Sequence, residues 1–409
     1  MTTTLGYFGH GHREKGGSFL LERLHDHGPR GVSVVGLGGN RAGELRITRF
    51  LHNPHVRPRE MVETAAARTA QQVTDCHILA IQDTTTLRDD GDQRGLALHP
   101  TLAVDAATGT PLGLIHAEFL RRLGGKRQTR KQRPIHRKES QRWLTATRAA
   151  GGLLAAGASR VTVVADRECD IYEEFALRPP GVELLIRAGQ DRRLAAGGLL
   201  FDTLAGAPTL GRISVALPAN ATRTARVANL RIRTRVLSLS CPNRPLREKR
   251  KLPDAVCVTA IEACEIKPPP GVEPAHWRLL TTHKVTTLEE ASQIISWYKA
   301  RWTIEQLFRT MKTQGFQVEA LRLQSDAPFE NLAMAILIAA ISIMRMTAER
   351  DGVGQRPLTD VFEPDDQPIL DALSTSLEGK TARQKNPQDR KSTRLNSSHI
   401  PLSRMPSSA

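Results

Sequence analysis

Three acidic residues occupy sequence positions from which they could act together on a phosphodiester. Asp83 in IQDTTTL and Asp166 in VVADRECD each follow a short apolar run typical of a buried strand, and Glu305 lies in a helical segment. Strand ends are frequent positions for sites in α/β sheets, because the side chain there points into open space. Three carboxylates can hold two Mg²⁺ ions about 4 Å apart, with Mn²⁺ as a substitute, since hard oxygen ligands favour these ions over zinc. The three residues therefore predict metal-dependent phosphodiester chemistry.

The segment around Glu305 carries a second pattern, Tyr298-x2-Arg301-x3-Glu305-x6-Lys312. On one continuous helix these offsets place all four side chains on the same face. A hydroxyl and two cations beside a carboxylate could hold phosphates on either side of a cleaved bond. The alternatives are a solvent-exposed helix with an ordinary Arg301–Glu305 ion pair, and aspartates that only cap strand-end turns.

Alternating strands and helices must position these residues, which predicts an α/β fold. The predicted strands are HILAIQ, LALHPTLAVD, PLGLIHAEFL, VTVVA and Val182–Ile186. The predicted helices are Ser140–Ala156, Ile171–Leu177, a helix from the Thr286-x-x-Glu289 capping box to about Thr313, and Phe329–Arg350. A further helix is expected around Glu44–Leu51, after the glycines of VVGLGGNRAG, whose spacing does not fit a dinucleotide-binding loop.

A β-rich block at about residues 189–280 separates Asp166 from Glu305. Within it, ARVANLRIRTRVLSLS alternates with period two, as a strand with one buried and one solvated face does. The predicted apolar face comprises Leu230, Ile232 and Val236, and the predicted basic face comprises Arg231, Arg233 and Arg235.

The composition favours a polyanionic partner. Lys and Arg total 58 against 42 Asp and Glu, giving a net charge of +16 and a pI of about 10.2 over 409 residues. A basic segment, Arg121–Arg142, adds to this balance, although excess charge can also serve solubility alone.

The five cysteines form no CxxC pair, which argues against a zinc ribbon or a disulfide framework and fits a reducing cytosol. The apolar run Leu332–Met344 is too short to span a bilayer and predicts a buried core helix.

Together these motifs resemble the DDE transposases of the insertion-sequence-4 family. The matching segments are TRFLHNPHV, QDTTTL, LHPTLAVD, KES-x2-W, ADRECDIY and RWTIEQLFRTMKTQG, and the resemblance extends over about residues 40–388. It implies a ribonuclease-H-like mixed sheet flanked by helices, interrupted by a β-rich insertion domain, with a small helical N-terminal DNA-binding region. It also implies nicking at a transposon end, hairpin formation and opening, and strand transfer into target DNA.

The resemblance also assigns roles to individual residues. It implies that Asp83, Asp166 and Glu305 ligate two Mg²⁺ ions, and that Tyr298, Arg301 and Lys312 contact phosphates near the cleaved end. Trp277 would stack on a flipped base, the alternative being an ordinary core tryptophan. Arg187 and Arg49 would contact DNA, the alternative for each being a plain surface arginine.

Six segments are expected along the chain. They are a helical DNA-binding region at 1–75, the first part of the catalytic core at 76–188, the β-rich insertion at 189–280, the second part of the core at 281–350, the start of a truncated C-terminal region at 351–388, and a tail at 389–409. DRKSTRLNSSH and SRMPSSA in the tail resemble the translation of a sequencing-adapter oligonucleotide, which predicts a read-through artefact.

The expected partner is double-stranded DNA, both as inverted-repeat ends and as target, in the bacterial cytoplasm beside the nucleoid and without a membrane. The family implies a homodimer in the synaptic complex, whereas a truncated C-terminal region argues against one in this chain. Two other functions remain open at this point: a nuclease of similar fold without strand transfer, and a DNA-binding remnant without catalysis.

Overall fold

The structure of the chain is a computed structural model. It describes residues 4–27, 32–91, 94–123, 135, 138–217, 225–243, 252–313, 315–321, 323 and 325–350. Most of the basic segment Arg121–Arg142, the predicted C-terminal region at 351–388 and the predicted adapter-derived tail at 389–409 lie outside these residues.

The described chain is an α/β protein with both parallel and antiparallel strand pairing, as predicted. Its α-helices are α1 (Gly11–His27), α2 (Val34–Gly38), α3 (Arg41–Leu51), α4 (Pro58–Ala70), α5 (Gln141–Ala155), α6 (Tyr172–Ala176), α7 (Leu200–Ala205), α8 (Leu288–Ala300), α9 (Trp302–Met311) and α10 (Asp326–Arg350). Its strands are β1 (His77–Gln82), β2 (Thr85–Gly91), β3 (Arg94–Asp105), β4 (Pro111–Leu123), β5 (Arg160–Ala165), β6 (Val182–Arg187), β7 (Thr209–Leu217), β8 (Arg226–Ser240), β9 (Ala255–Glu265) and β10 (His276–Thr281).

The chain divides into two compact units. The first contains the described residues among 1–74, 85–122 and 303–408, and the second those among 75–84 and 123–302. The first unit therefore holds α1 to α4, β2 to β4, α9 and α10. The second holds the remaining helices and strands, and with them Asp83 and Asp166.

The first unit is built around α10. The apolar side chains along Leu332–Ile343 are almost completely buried, and the Asn331 amide donates hydrogen bonds to the main-chain oxygens of Leu51 and Val56 at 2.9 and 3.1 Å. By length and composition Asp326–Ala348 could cross a membrane, but 78% of its apolar window is buried inside the structure. The prediction that this segment is too short to span a bilayer is therefore wrong, because the helix continues past both ends of the apolar run. Its burial agrees with the predicted core helix, since core helices of soluble proteins pass the same test.

The glycines of VVGLGGNRAG join α2 and α3 in a tight turn. The Ser33 hydroxyl caps α2 by accepting from the Gly36 N–H at 3.0 Å, and the Asn40 side chain caps α3 by accepting from the Gly43 N–H at 2.9 Å. A Cβ atom on Gly43 would lie 2.1 Å from the carbonyl oxygen of Gly38, so only glycine fits this approach of the two backbones. The glycines therefore serve the packing of the two helices. This agrees with the prediction that their spacing does not form a dinucleotide-binding loop.

The second unit contains a sheet with the strand order β1-β5-β6-β10-β9-β8-β7. β1, β5 and β6 pair in parallel, and β10, β9, β8 and β7 continue the sheet with antiparallel pairing. The β-rich block is thus hydrogen-bonded to the parallel strands through the β6–β10 pair. The predicted strands HILAIQ, VTVVA and Val182–Ile186 are confirmed as β1, β5 and β6.

The predicted apolar face of β8 is wrong at one position. Leu230 and Ile232 are buried, but Val236 is 56% exposed, and the buried side chains farther along are Leu237 and Leu239. The register with β9 continues unbroken through this stretch, so a bulge is not the cause. Both α7 and α8 contact β8. The switch in parity indicates that these two helices cover opposite faces of the strand, one over each half.

A buried polar cluster lies among α5, α6 and the end of β1. The Gln82 amide donates to the Thr147 hydroxyl at 3.2 Å, Thr147 donates to the Glu174 carboxylate, and the second Glu174 oxygen is buried with no hydrogen-bond partner among the described residues. Burial raises the pKa of Glu174 to about 7, and the Thr147 hydrogen bond offsets part of the shift.

Glu174→Gln is expected to flatten the pH dependence of stability between about pH 4.5 and 7. Because the pKa of Glu174 is raised in the folded state, the folded protein binds more protons than the unfolded chain in this window, and stability falls as the pH rises. The loss amounts to on the order of 3 kcal/mol across the window. Thermal unfolding of both proteins at several pH values measures the effect. Parallel curves of Tm against pH would contradict it.

Candidate active site

Two of the predicted carboxylates lie at the same level of the strand register, in one row across the carboxyl edge of the parallel strands. Ile81 pairs with Val164, so two residues later Asp83 stands opposite Asp166. Ala165 pairs with Ile186, so Asp166 in turn stands opposite Arg187 at the end of β6. Neighbouring strands are about 4.8 Å apart. The structure therefore brings together two acidic residues and one cationic residue that are far apart in sequence.

Main-chain hydrogen bonds orient both carboxylates. The Thr84 N–H donates to Oδ1 of Asp83 at 2.7 Å, and the Glu168 N–H donates to Oδ1 of Asp166 at 2.8 Å. Asp166 is thereby the N-cap of a short 3₁₀ turn, Arg167–Cys169. A half-buried carboxylate with one oxygen fixed by the backbone presents the other in a defined direction, as a pre-organised ligand requires.

Arg301 and Tyr298 complete this cluster at the end of α8. Nη1 of Arg301 lies 3.0 Å from Oδ2 of Asp83, and Arg301 also hydrogen-bonds the Tyr298 hydroxyl. Burial raises the pKa of Tyr298, and Asp166 raises it further, whereas Arg301 and Arg187 lower it. The Tyr298 hydroxyl is therefore protonated at neutral pH and can donate a hydrogen bond. The structure brings together Asp83, Asp166, Arg187, Tyr298 and Arg301, all in the second unit.

Trp277 lies beside this group on β10. Its ring centroid is 6.4 Å from that of Tyr298, at an interplanar angle of 59°. The indole is half-buried, and the Arg187 guanidinium approaches the neighbouring His276 carbonyl oxygen at 3.4 Å. This surface is compatible both with base stacking and with a core tryptophan, so the role of Trp277 stays a prediction.

The predicted continuous helix from Thr286 to Thr313 is wrong. The capping box lies one residue later, with Thr287 as N-cap and Glu290 as its partner. The helix ends at Ala300, and a second helix begins at Trp302.

This break separates the predicted signature between the two units. Tyr298 and Arg301 belong to the second unit, whereas Glu305 on α9 and Lys312 just beyond it belong to the first. Lys312 pairs there with Glu319 at 2.7 Å. Arg49 is exposed on α3, also in the first unit. The roles predicted for Glu305, Lys312 and Arg49 stay predictions.

Arg142 is a further residue beside the two carboxylates, at a position that the motif spacing does not indicate. It is 6% exposed, and its guanidinium donates to the Thr84 hydroxyl at 3.0 Å, to the Glu139 carbonyl oxygen at 3.0 Å and to Glu168 at 2.9 Å. Thr84 is the residue after Asp83, and Glu168 lies two residues after Asp166. Arg142 therefore links the two loops that carry the carboxylates. The only sequence signal was its place in KES-x2-W, where an arginine precedes a buried tryptophan.

The donor set of the second unit fits a magnesium ion. Mg²⁺ commonly takes one or two protein carboxylates and completes its shell with waters and substrate phosphates. Asp83 and Asp166 supply two such carboxylates, and among the described residues no group of three or more His, Cys, Asp or Glu side chains is arranged to hold a metal. A structural zinc site, with its four nitrogen or sulfur ligands, does not fit this chemistry.

Carboxylates and guanidinium groups together at the carboxyl edge of a parallel sheet suit an enzyme that acts on phosphate esters. The family model described as transposase DDE domain matches residues 76–342, which is more than half of the chain. The chain therefore belongs to the DDE transposases. These are enzymes that bind and act on DNA and generally use divalent metal ions.

Proposed function

We propose that this transposase cleaves DNA at transposon ends with Mg²⁺ and joins the released end to target DNA. Asp83 and Asp166 are the metal ligands in this proposal, with Glu305 as the third carboxylate. The observation that carries it is the shared row of Asp83, Asp166 and Arg187 at the carboxyl edge of three parallel strands. The motif resemblance supports assignment to the insertion-sequence-4 family, with a ribonuclease-H-like core and cut-and-paste chemistry through a hairpin.

The side chains of the second unit have distinct parts in this reaction. Mg²⁺, when bound, polarises the scissile phosphate and activates a water or a 3′-hydroxyl. Arg301 and Arg187 stabilise negative charge on the phosphoryl oxygens, because a guanidinium presents several N–H donors in a fixed plane. Tyr298 keeps its hydroxyl proton and donates a hydrogen bond to a phosphate oxygen. Trp277 stacks on an extruded base, which a hairpin step requires.

The remaining proposed contacts come from the first unit. Lys312 binds a phosphate near the cleaved end, and Arg49 contacts the transposon-end duplex. Both are cations on or next to helices, and either can neutralise backbone phosphates without reading the sequence.

The test is cleavage of a labelled duplex that carries the terminal inverted repeat flanking the gene. We expect nicking by the full chain with Mg²⁺ or Mn²⁺, a hairpin species on denaturing gels, and joined products when a target plasmid is added. Chelation of the metal is expected to stop all three. Cleavage that persists in EDTA would contradict the metal-dependent site.

The two other functions give different products in the same assay. A nuclease of similar fold would release nicked DNA without joined products. A DNA-binding remnant would retain the duplex in a mobility-shift assay without nicking it at any metal concentration.

A further inference from the structure

The strongest charged feature outside the candidate site is one face of the antiparallel strands, which we name the arginine face. Its members are Arg212 on β7, Arg231, Arg233 and Arg235 on β8, and Arg278 on β10. We infer that the arginine face binds the phosphate backbone of duplex DNA, outside the residues that carry out cleavage. This rests on the proposed function only in that the partner is DNA.

Strand register places all five arginines on the same face. Arg231 pairs with Arg212 across to β7, and Arg233 pairs with Glu262 on β9, which pairs in turn with Arg278 on β10. Directly paired residues project to the same side of a sheet, as do residues two apart on one strand. The arginine face therefore extends over four adjacent strands.

One pair on this face has no stabilising explanation in the fold itself. Arg212 and Arg231 stand directly opposite each other, and like charges in that arrangement destabilise a sheet. Arg212 and Arg235 are exposed and Arg231 is half-buried. None of the three makes an ion pair with another described residue. A polyanion laid across the face would remove the repulsion that these positions create.

The carboxylates on these strands do not neutralise the face. Glu262 lies on it and is shared by two arginines, Arg233 at 3.0 Å and Arg278 at 3.4 Å, and by the imidazole of His276 at 2.9 Å. Glu265 pairs with Leu230 in the register, which puts it on the opposite face, where it binds Arg226. Five arginines thus face one buried carboxylate, and the surplus charge is positive.

The arginine face begins at the edge that carries the candidate site. Leu279 of β10 pairs with Arg187, the last residue of β6, so the residues of β10 before Leu279 extend past the carboxyl ends of the parallel strands. Arg278 lies in this extension, and the register through Glu262 places Arg233 at the same level. A duplex that leaves the carboxylates over this edge would therefore meet the arginines next.

The chemistry favours phosphate contacts over base reading. Arginines on the face of a sheet present guanidinium groups to a backbone but place no helix or ribbon into a groove. Each phosphate neutralised by such a contact releases counterions, so its contribution appears in the salt dependence of binding. The predicted partner is duplex DNA of any sequence.

The experiment measures binding of the full chain to a fluorescent 30-base-pair duplex of random sequence, without metal, over a range of salt concentrations. The variants are Arg212→Gln, Arg231→Gln, Arg235→Gln and the triple combination. Arg160→Gln is the matched control, because Arg160 is an exposed arginine at the opposite end of β5 in the same unit. We expect the slope of log K against log salt to fall by about one for each arginine removed, and affinity at 0.15 M salt to fall on the order of tenfold in the triple variant.

Thermal unfolding separates a binding role from a structural one. Arg212→Gln is expected to keep or raise the Tm, because it removes the repulsion with Arg231. An unchanged salt slope and affinity in the triple variant, matching Arg160→Gln, would overturn the inference. A triple variant that keeps its affinity for DNA but loses binding to anionic lipid vesicles would overturn it as well. Nicking is not needed for this measurement, so failure of the proposed reaction would leave the binding result independent.

Discussion

Asp166→Asn is expected to reduce transposon-end nicking by at least about 10³-fold while the protein stays folded. Asparagine keeps the side-chain oxygen that accepts from the Glu168 N–H at 2.8 Å, and Asn and Asp are comparable N-caps. What the variant loses is the negative charge that a divalent cation requires. Loss of a metal ligand removes several kcal/mol of transition-state stabilisation, and each 1.36 kcal/mol is a factor of ten in rate.

The matched control is Asp105→Asn. Asp105 is the last residue of β3, whereas Asp166 directly follows the last residue of β5. The Oδ1 atom of Asp105 accepts from the Ala107 N–H at 2.8 Å, which is the same hydrogen bond to the N–H two residues on, without the proposed chemistry. We expect this variant to nick at nearly the wild-type rate. Wild-type activity in Asp166→Asn would sink the assignment of the carboxylate.

A second measurement does not depend on activity. A ligand that binds only the folded state raises the Tm, so Mg²⁺ or Mn²⁺ is expected to stabilise the wild type and not Asp166→Asn. Asp83→Asn should behave in the same way toward metal. It should also have a lower Tm without metal, because the ion pair between Arg301 and Oδ2 of Asp83 at 3.0 Å is lost.

The strands that carry the aspartates were predictable because their local signals agree. A short run of β-branched and aliphatic residues that ends in Asp indicates a buried strand followed by a turn, and β1 and β5 begin and end close to the predicted positions. The sequence could not, by itself, show that β1 and β5 are neighbours. Their parallel pairing at an offset of 83 residues, which aligns Asp83 with Asp166, is a property of the sheet topology.

Other features depend on tertiary contacts that leave little trace in the sequence. The helix break at Arg301 occurs without proline or glycine, so periodicity continues through it and predicts one helix. Val236 follows the alternation of β8 but is exposed, because the covered face changes along the strand. The links made by Arg142 join loops that are separated by more than eighty residues, and spacing carries no information about them.

Arg142→Lys is expected to reduce nicking by roughly 10- to 100-fold with a modest loss of stability. The guanidinium reaches Thr84, the Glu139 carbonyl oxygen and Glu168 at the same time, each within 3.0 Å. Lysine keeps the positive charge but is a single donor point on a flexible chain, so it cannot hold both loops together. Residues that orient metal ligands typically contribute about this much to metal affinity or activity.

Arg178→Lys tests whether any such effect is merely structural. Arg178 also uses its guanidinium to join two segments, donating to the carbonyl oxygens of Val182 and Phe175 at 3.1 Å each, but neither segment carries a carboxylate of the site. Both substitutions should lower the Tm by a few degrees, since each removes hydrogen bonds worth about 1 kcal/mol apiece. We expect nicking per folded molecule to fall in Arg142→Lys alone.

The ion pair between Arg142 and Glu168 allows the positioning role of Arg142 to be tested separately from its positive charge. In the wild type, Glu168→Gln should lower the metal-induced rise in Tm, because the link between the two loops is weakened. In the Arg142→Lys background the same substitution should add little, since the link is already lost, and the two effects are therefore expected to be non-additive. Additive losses, or equal nicking by Arg142→Lys and Arg178→Lys, would show that Arg142 supports the fold without positioning Asp83 and Asp166.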